Sequence, residues 1–179
     1  MSKYLSMLRG INVSGQKSIK MDDLIKLYES LNYKNVSTYI QSGNVLFDSS
    51  EEKLENIAGK IEKKIKKEFS YDVPVIIRTK NDLGHIINTN PFLKRKNIDH
   101  SKLHFTFLSK LPEGQVPLKI IETKSDEDEF YIKSKEIYLY CPNGYGRTKY
   151  TNSFFENNLN VNATTRNWNT VNKLFKMMG

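Results

Sequence analysis

The sequence predicts an α+β fold made of two β-α-β-β-α-β units in tandem, closed by one extra C-terminal helix. Three observations carry this. Apolar residues alternate between short strand-like runs and helical spacings of three and four, and the order of these segments returns in the second half. A Tyr-Ile-x-Ser hairpin segment occurs once in each half, at Tyr39 and at Tyr131, which makes an internal duplication a candidate. The chain has 179 residues, 38 % hydrophobic and 11 % aromatic, enough for two small units that each bury a core.

Residues 4–8 are short and apolar enough for a strand, and residues 10–18, with two glycines and small polar side chains, read as a loop. Leu24, Ile25, Tyr28 and Leu31 share one face of a helix that starts at Met21. Residues 36–41 and 44–47 are β-rich and separated by Ser42-Gly43, the pattern of a two-residue hairpin. Leu54, Ile57, Ala58, Ile61, Ile65 and Phe69 line a second helical face, and residues 73–78 close the unit as a strand. This order is ferredoxin-like: two helices on one face of a four-stranded antiparallel sheet. The first unit is thus residues 1–78.

The second spans residues 79–179. A linking helix at 82–88 precedes the Asn90-Pro91 break; a strand follows at 102–108, then a helix at 116–122 whose start Pro112 and Pro117 mark. A second hairpin occupies 130–133 and 136–140, a helix 149–159 and a short strand 161–164. Trp168, Val171, Leu174 and Met178 keep helical spacing to the end.

Charge and composition exclude other classes. With 28 basic and 20 acidic residues the net charge is +8, and residues 130–179 alone carry 7 basic against 2 acidic ones. An anionic partner is allowed, although such a charge also serves solubility. No apolar run approaches the roughly 18 to 20 residues of a membrane span, and Arg9 interrupts what a signal peptide would keep apolar. Cys141 is the only cysteine and cannot form an internal disulfide. The expected location is the cytoplasm, with no membrane partner.

Two segments carry anion chemistry. Residues 9–17 place Arg9, Gly10, Asn12, Gly15 and Lys17 between a strand and a helix, where freed amides and flanking cations suit a phosphate or carboxylate. The spacing matches neither phosphate-loop pattern, and the same glycines serve as turn residues with Asn12 bonding local backbone. In residues 164–170, Thr165 or Asn167 can cap the last helix, with Arg166 beside the freed amides and Trp168 as a stacking face or a core residue. Gln41, Ser42 and Asn44 offer hydrogen bonds at the hairpin. Residues 142–149 hold two glycines, Tyr145, Arg147 and Lys149 ahead of a helix that Thr148 can cap, and read equally as an anion-binding turn that includes Arg147 or as a flexible connection.

Catalytic groups are sparse. His85, His100 and His104 do not assemble a zinc site with a third ligand, Cys141 has no histidine near it in sequence, and residues 126–129 read as a solvated acidic turn. No metal and no cofactor is expected. Tyr39, Phe47, Tyr131, Tyr138 and Tyr140 put aromatics on strands, yet the signature of an RNA-recognition sheet is absent.

Three segments, Arg9-Gly10-Ile11-Asn12-Val13-Ser14-Gly15, Tyr39-Ile40-Gln41-Ser42-Gly43-Asn44-Val45 and Thr164-Thr165-Arg166-Asn167-Trp168-Asn169-Thr170-Val171, together resemble the DUF1697 family of uncharacterised bacterial proteins. The resemblance implies a two-part α+β protein with ferredoxin-like halves and implies no activity. Ser14 stands where such proteins often carry a second glycine, which bears on the local shape of the loop.

The functional expectation is an anion-binding module for nucleotide or nucleic-acid phosphate, built where residues 9–17 meet residues 166–168. On this reading Arg9→Ala and Arg166→Ala abolish stabilisation by nucleotides and barely change the unliganded melting temperature. The alternative is a small-molecule enzyme of unknown reaction in the same inter-unit cleft, with Gln41, Asn44 and Arg166 orienting the substrate. A third reading has Arg9 and Arg166 as structural ion-pair partners.

Overall fold

The computed structural model describes residues 1–113 and 127–179. It is a mixed α/β architecture with two four-stranded antiparallel sheets and five α-helices among the described residues. The chain divides into two compact units, Met1–Leu83 with Leu174–Gly179, and Gly84–Lys173.

In the first unit β1 (Ser2–Leu8), α1 (Met21–Ser30), β2 (Lys34–Tyr39), β3 (Asn44–Ser49), α2 (Leu54–Phe69) and β4 (Val75–Thr79) follow one another, and α3 (Lys80–Asn88) starts directly after β4. The sheet runs β2-β3-β1-β4. Because side chains alternate along a strand, Tyr4, Val45, Phe47 and Ile77 share the face that packs on Leu24, Leu27 and Tyr28 of α1 and Ile57, Ile61 and Ile65 of α2. Each such side chain contributes about 1.5–3 kcal/mol by leaving water. The Tyr28 hydroxyl meets the Ser6 hydroxyl at 2.7 Å, and burial holds its proton on. Leu5, Met7, Leu46 and Ile76 alternate with the core residues and are buried too, which explains why β1 and β3 read as nearly continuous apolar runs.

The first hairpin departs from its sequence pattern. β2 ends at Tyr39 and β3 begins at Asn44, so four residues intervene where Ser42-Gly43 predicts two. Ile40 and Gly43 both take positive φ, 52° and 73°. At Gly43 this conformation coincides with close packing: a Cβ there would lie 2.8 Å from Leu8 Cβ and 2.8 Å from Ile11 Cδ1.

The second unit contains β5 (Leu103–Leu108), β6 (Glu129–Lys133), β7 (Glu136–Tyr140), α4 (Asn152–Leu159), β8 (Ala163–Asn167) and most of α5 (Trp168–Met177). Its sheet runs β6-β7-β5-β8, the same order as the first. Leu108, Ile137, Leu139, Tyr150, Phe155 and Leu159 form its core, with Phe130 edge-on to Tyr150 and Phe155. The helix expected at 116–122 lies outside the described residues.

Three expectations shift here. The helix predicted at 149–159 begins only at Asn152: Thr151, and not Thr148, accepts the Phe154 N–H, while the Thr148 hydroxyl accepts from Tyr150 N–H. The last strand, predicted at 161–164, instead covers Ala163–Asn167, and its polar residues pair along the ladder with β5. The Tyr-Ile-x-Ser match does not mark equivalent positions. Tyr39 faces Asn44 at the end of its ladder, whereas Tyr131 faces Tyr138 inside its own, because the second turn holds only Ser134 and Lys135.

A different set of devices does repeat. The first residue of β4, Val75, donates its N–H to Glu62 Oε1 of α2 at 2.8 Å; the first residue of β8, Ala163, donates to Glu156 Oε1 of α4 at 3.0 Å. The fourth residue of each strand is arginine, and Nη1 of Arg78 and of Arg166 donates to the carbonyl of the residue before it, both at 2.9 Å. The fifth caps the helix that follows without a linker: Thr79 exchanges bonds with Asp82, and Asn167 Oδ1 accepts from Thr170 N–H.

Two tests follow from this packing. Gly43→Ala, which meets both a close contact and a left-handed backbone, is expected to cost at least about 2 kcal/mol in urea unfolding. Burial raises the Glu62 carboxyl above its usual range, and the Val75 N–H offsets this only in part. Its contribution to stability is therefore fully present in acid, below the unfolded value, and is lost as pH rises through the folded one. Glu62→Gln keeps an acceptor for Val75 and removes that pH dependence. Its melting temperature relative to wild type is expected to be higher at pH 7 than at pH 4, whereas Glu62→Ala is lower at both.

Candidate functional site

The sequence-predicted residues fall into two groups, one in each unit. In the first, residues 9–17 form a miniature hairpin. Gln16 N–H donates to Val13 O at 2.9 Å, and the residues between, Ser14 and Gly15, have φ of 50° and 74°, as a type I′ turn requires. Gly10, Asn12 and Lys17 also take positive φ. The Asn12 side chain is fully used in shaping the loop: Nδ2 donates to Ile19 O and Gln41 O at 3.0 and 2.9 Å, and Oδ1 accepts from Ile19 N–H at 2.9 Å. Ile11 is buried in the core and anchors the turn from below.

What faces outward is different in kind. Val13, Ser14, Gly15 and Gln16 are exposed, and the Ser14 and Gly15 amides have no acceptor among the described residues. Lys17 is half-buried, its ammonium at 2.5 Å from Asp72 O, and Arg9 is half-buried with its N–H on Pro74 O. The loop does not run into a helix N-terminus, since α1 starts at Met21.

The hairpin supplies less than its composition suggests. Asn44 is fully buried and donates to Tyr39 O and Ser42 Oγ at 3.1 and 2.9 Å. Gln41 is joined to the loop through its backbone carbonyl, which leaves its exposed side chain outside that bond. The structure thus brings Asn12, Gln41 and Asn44 together as a brace between loop and hairpin. Ile40, half exposed at φ 52°, holds a conformation that β-branched residues avoid.

In the second unit Thr165 does not cap the last helix; Asn167 does. Thr165 Oγ1 donates to Asn152 Oδ1 at 2.7 Å, so Thr106 Oγ1, 2.6 Å away, donates to it in turn. Arg166 is buried and bonds Thr164 Oγ1 at 2.8 Å besides the Thr165 carbonyl. This burial makes Arg166→Ala a change expected to lower the stability of the unliganded protein. Trp168 stacks on Phe105 at 5.7 Å and meets the exposed His100 ring at 4.9 Å, part core and part surface. Arg147 and Lys149 are exposed beyond the turn that Gly144 opens at φ 91°.

The remaining titratable groups do not form a catalytic set. His104 packs its ring on Tyr145 at 5.1 Å, and burial holds it below the usual histidine range. Cys141 is buried, and burial together with Asp128 pushes its thiol up to about 11, against a hydrogen bond from Thr148; it stays a thiol at neutral pH. Among the described residues no group of three or more His, Cys, Asp or Glu could hold a metal, and no helix is long and apolar enough to cross a membrane. Asp126 lies outside the described residues, and its neighbours are not a loose acidic run: Asp128 is buried, Glu127 accepts from Asn143, and Glu129 is paired with Arg95. Phe47, Phe105 and Tyr138 are buried, so the central strands offer no open aromatic platform.

Sequence reasoning passed over Arg78, although Arg78-Thr79 before α3 parallels Arg166-Asn167 before α5. It also passed over Lys94-Arg95-Lys96, three consecutive exposed cations.

The model of a protein family of unknown function, DUF1697, matches residues 1–138. That span includes the loop and hairpin motifs and leaves residues 164–171 outside. No curated protein matches the chain. Among solved structures it is similar to the conserved bacterial protein SP0830 from Streptococcus pneumoniae, with 23% identity, a TM-score of 0.74, and 99% of each chain covered. At this identity the likeness concerns the fold alone, and it runs the whole length of both chains. With more than half its residues matched by one family model, the chain belongs to the DUF1697 family.

Proposed function

We propose that this chain is a cytoplasmic anion-recognising module that takes nucleotide or nucleic-acid phosphate, built on two ferredoxin-like units that arose by duplication. The observation that carries the binding reading is the tip of residues 9–17. Two adjacent amides without acceptors stand on a braced turn, with Arg9 and Lys17 at its base and no acidic residue in the loop. Successive amides in left-handed conformations make a concavity suited to an anion, and the bracing means little ordering cost on binding. Arg147 is an exposed cation of the second unit. The ferredoxin-like and duplication readings are supported by the shared strand order and by the three repeated devices at β4 and β8. The compartment rests on the lone unpaired cysteine.

The test is thermal denaturation with inorganic phosphate, pyrophosphate and nucleoside mono-, di- and triphosphates. A ligand at about 100 times its Kd stabilises by about 2.7 kcal/mol, which at this size raises the melting temperature by roughly 5–11 °C. Arg9→Ala and Lys17→Ala are expected to remove that rise at little cost to the unliganded protein. Arg166→Ala is expected to lower the unliganded melting temperature itself, because it strips bonds from a buried strand. The proposal fails if none of these anions raises the wild-type value.

A further inference from the structure

Residues 90–96 and the edge strand β6 make a surface in the second unit that the loop reading does not use. Asn90 caps the short 3-10 turn Pro91–Lys94 by accepting from Phe92 N–H, and so sets Phe92 against the sheet, 5.2 Å from the Tyr131 ring and 5.8 Å from Tyr140. The Arg95 guanidinium lies over Phe92 at 4.9 Å and is gripped by both Glu129 oxygens, at 2.7 and 2.6 Å. That pairing fixes Arg95 and neutralises it. The flanking Lys94 and Lys96 are exposed and form no ion pair among the described residues, and Lys133, exposed on the same strand face as Tyr131, stands 5.8 Å from the Tyr138 ring.

Tyr131 is the unusual member. It is 45% exposed on an edge strand, its ring inclined at 58° to Phe92 and its hydroxyl in hydrogen-bond contact with Arg95. An exposed ring with exposed ammonium groups on its own strand and on the adjoining segment is the combination that takes an unpaired base by stacking while cations track the backbone. A duplex hides its base faces and an acidic peptide has none, so the ring gains nothing from either. We infer that this surface, centred on Tyr131 and flanked by Lys94, Lys96 and Lys133, binds single-stranded nucleic acid. It uses none of the residues of the turn at Ser14 and Gly15 and stands without it.

The experiment is fluorescence anisotropy of the full chain with a fluorescein-labelled oligothymidylate of about 20 nucleotides, and with a duplex of equal length, from about 50 to about 200 mM salt. The single strand is expected to bind more tightly than the duplex. Tyr131→Ala should weaken it by on the order of 10-fold, and Tyr131→Trp should retain it. The double variant Lys94→Glu, Lys96→Glu should weaken binding and flatten its salt dependence. Equal affinity for the duplex, an unchanged Tyr131→Ala, or no binding by the wild type overturns the inference. Lys17→Ala, run alongside, is expected to bind the oligonucleotide like wild type even where it has lost stabilisation by mononucleotides. If Lys17→Ala loses the oligonucleotide and the Lys94, Lys96 double variant keeps it, the surface proposed here is wrong and the loop reading stands.

Discussion

Each sheet ends on a strand, β4 or β8, that is laddered on one side only, and the backbone groups at the ends of such a strand must find partners elsewhere. Much of the local architecture answers that demand. A glutamate from the preceding helix takes the first N–H, and the last residue turns at once into the cap of the next helix. Both devices dictate helix placement. α2 and α4 must present a carboxylate at the strand's start, and α3 and α5 must begin where the strand stops, with no slack to redirect the chain. The arginine just before each cap fits the same logic: it folds Nη1 back on its own strand, adding a donor where the ladder runs out.

The braced loop of the first unit obeys a related economy. Asn12 and Asn44 spend their amides on loop and hairpin carbonyls, and Gly43 lets Leu8 and Ile11 close up against the turn. The groups left without acceptors among the described residues are the main-chain amides of Ser14 and Gly15 at the tip. A turn assembled this way is held by residues that lie outside its tip, which preserves the geometry of the tip.

The elements that the sequence revealed best are those whose burial is one-sided and periodic. α1 and α2 keep three-and-four spacing over their whole length because a single sheet face receives them. Three failures have other causes. Thr164, Thr165 and Arg166 look like a capping segment, yet they are strand, made tenable by Thr106 and Asn152. Thr148 and Thr151 are equally good caps on paper, and the structure commits Thr148 to the N–H of the buried Tyr150 instead. Ile40 has the composition of a strand residue but sits in a left-handed turn, so the hairpin is two residues longer than its Ser-Gly signal. For the site, the cations and glycines were legible, whereas the commitment of Asn12 and Asn44 to backbone was not, because an asparagine carries no mark of which way it faces.

Cys141 carries a consequence of another sort. It is the chain's only thiol, buried in the core of the second unit, and the first unit has none. A thiol so protected reacts only when the packing of Leu139, Tyr150 and Phe155 around it opens. The rate at which a thiol reagent modifies the native protein therefore clocks the opening of one unit while staying blind to the other. The molecule comes with a built-in local reporter that needs no engineered label.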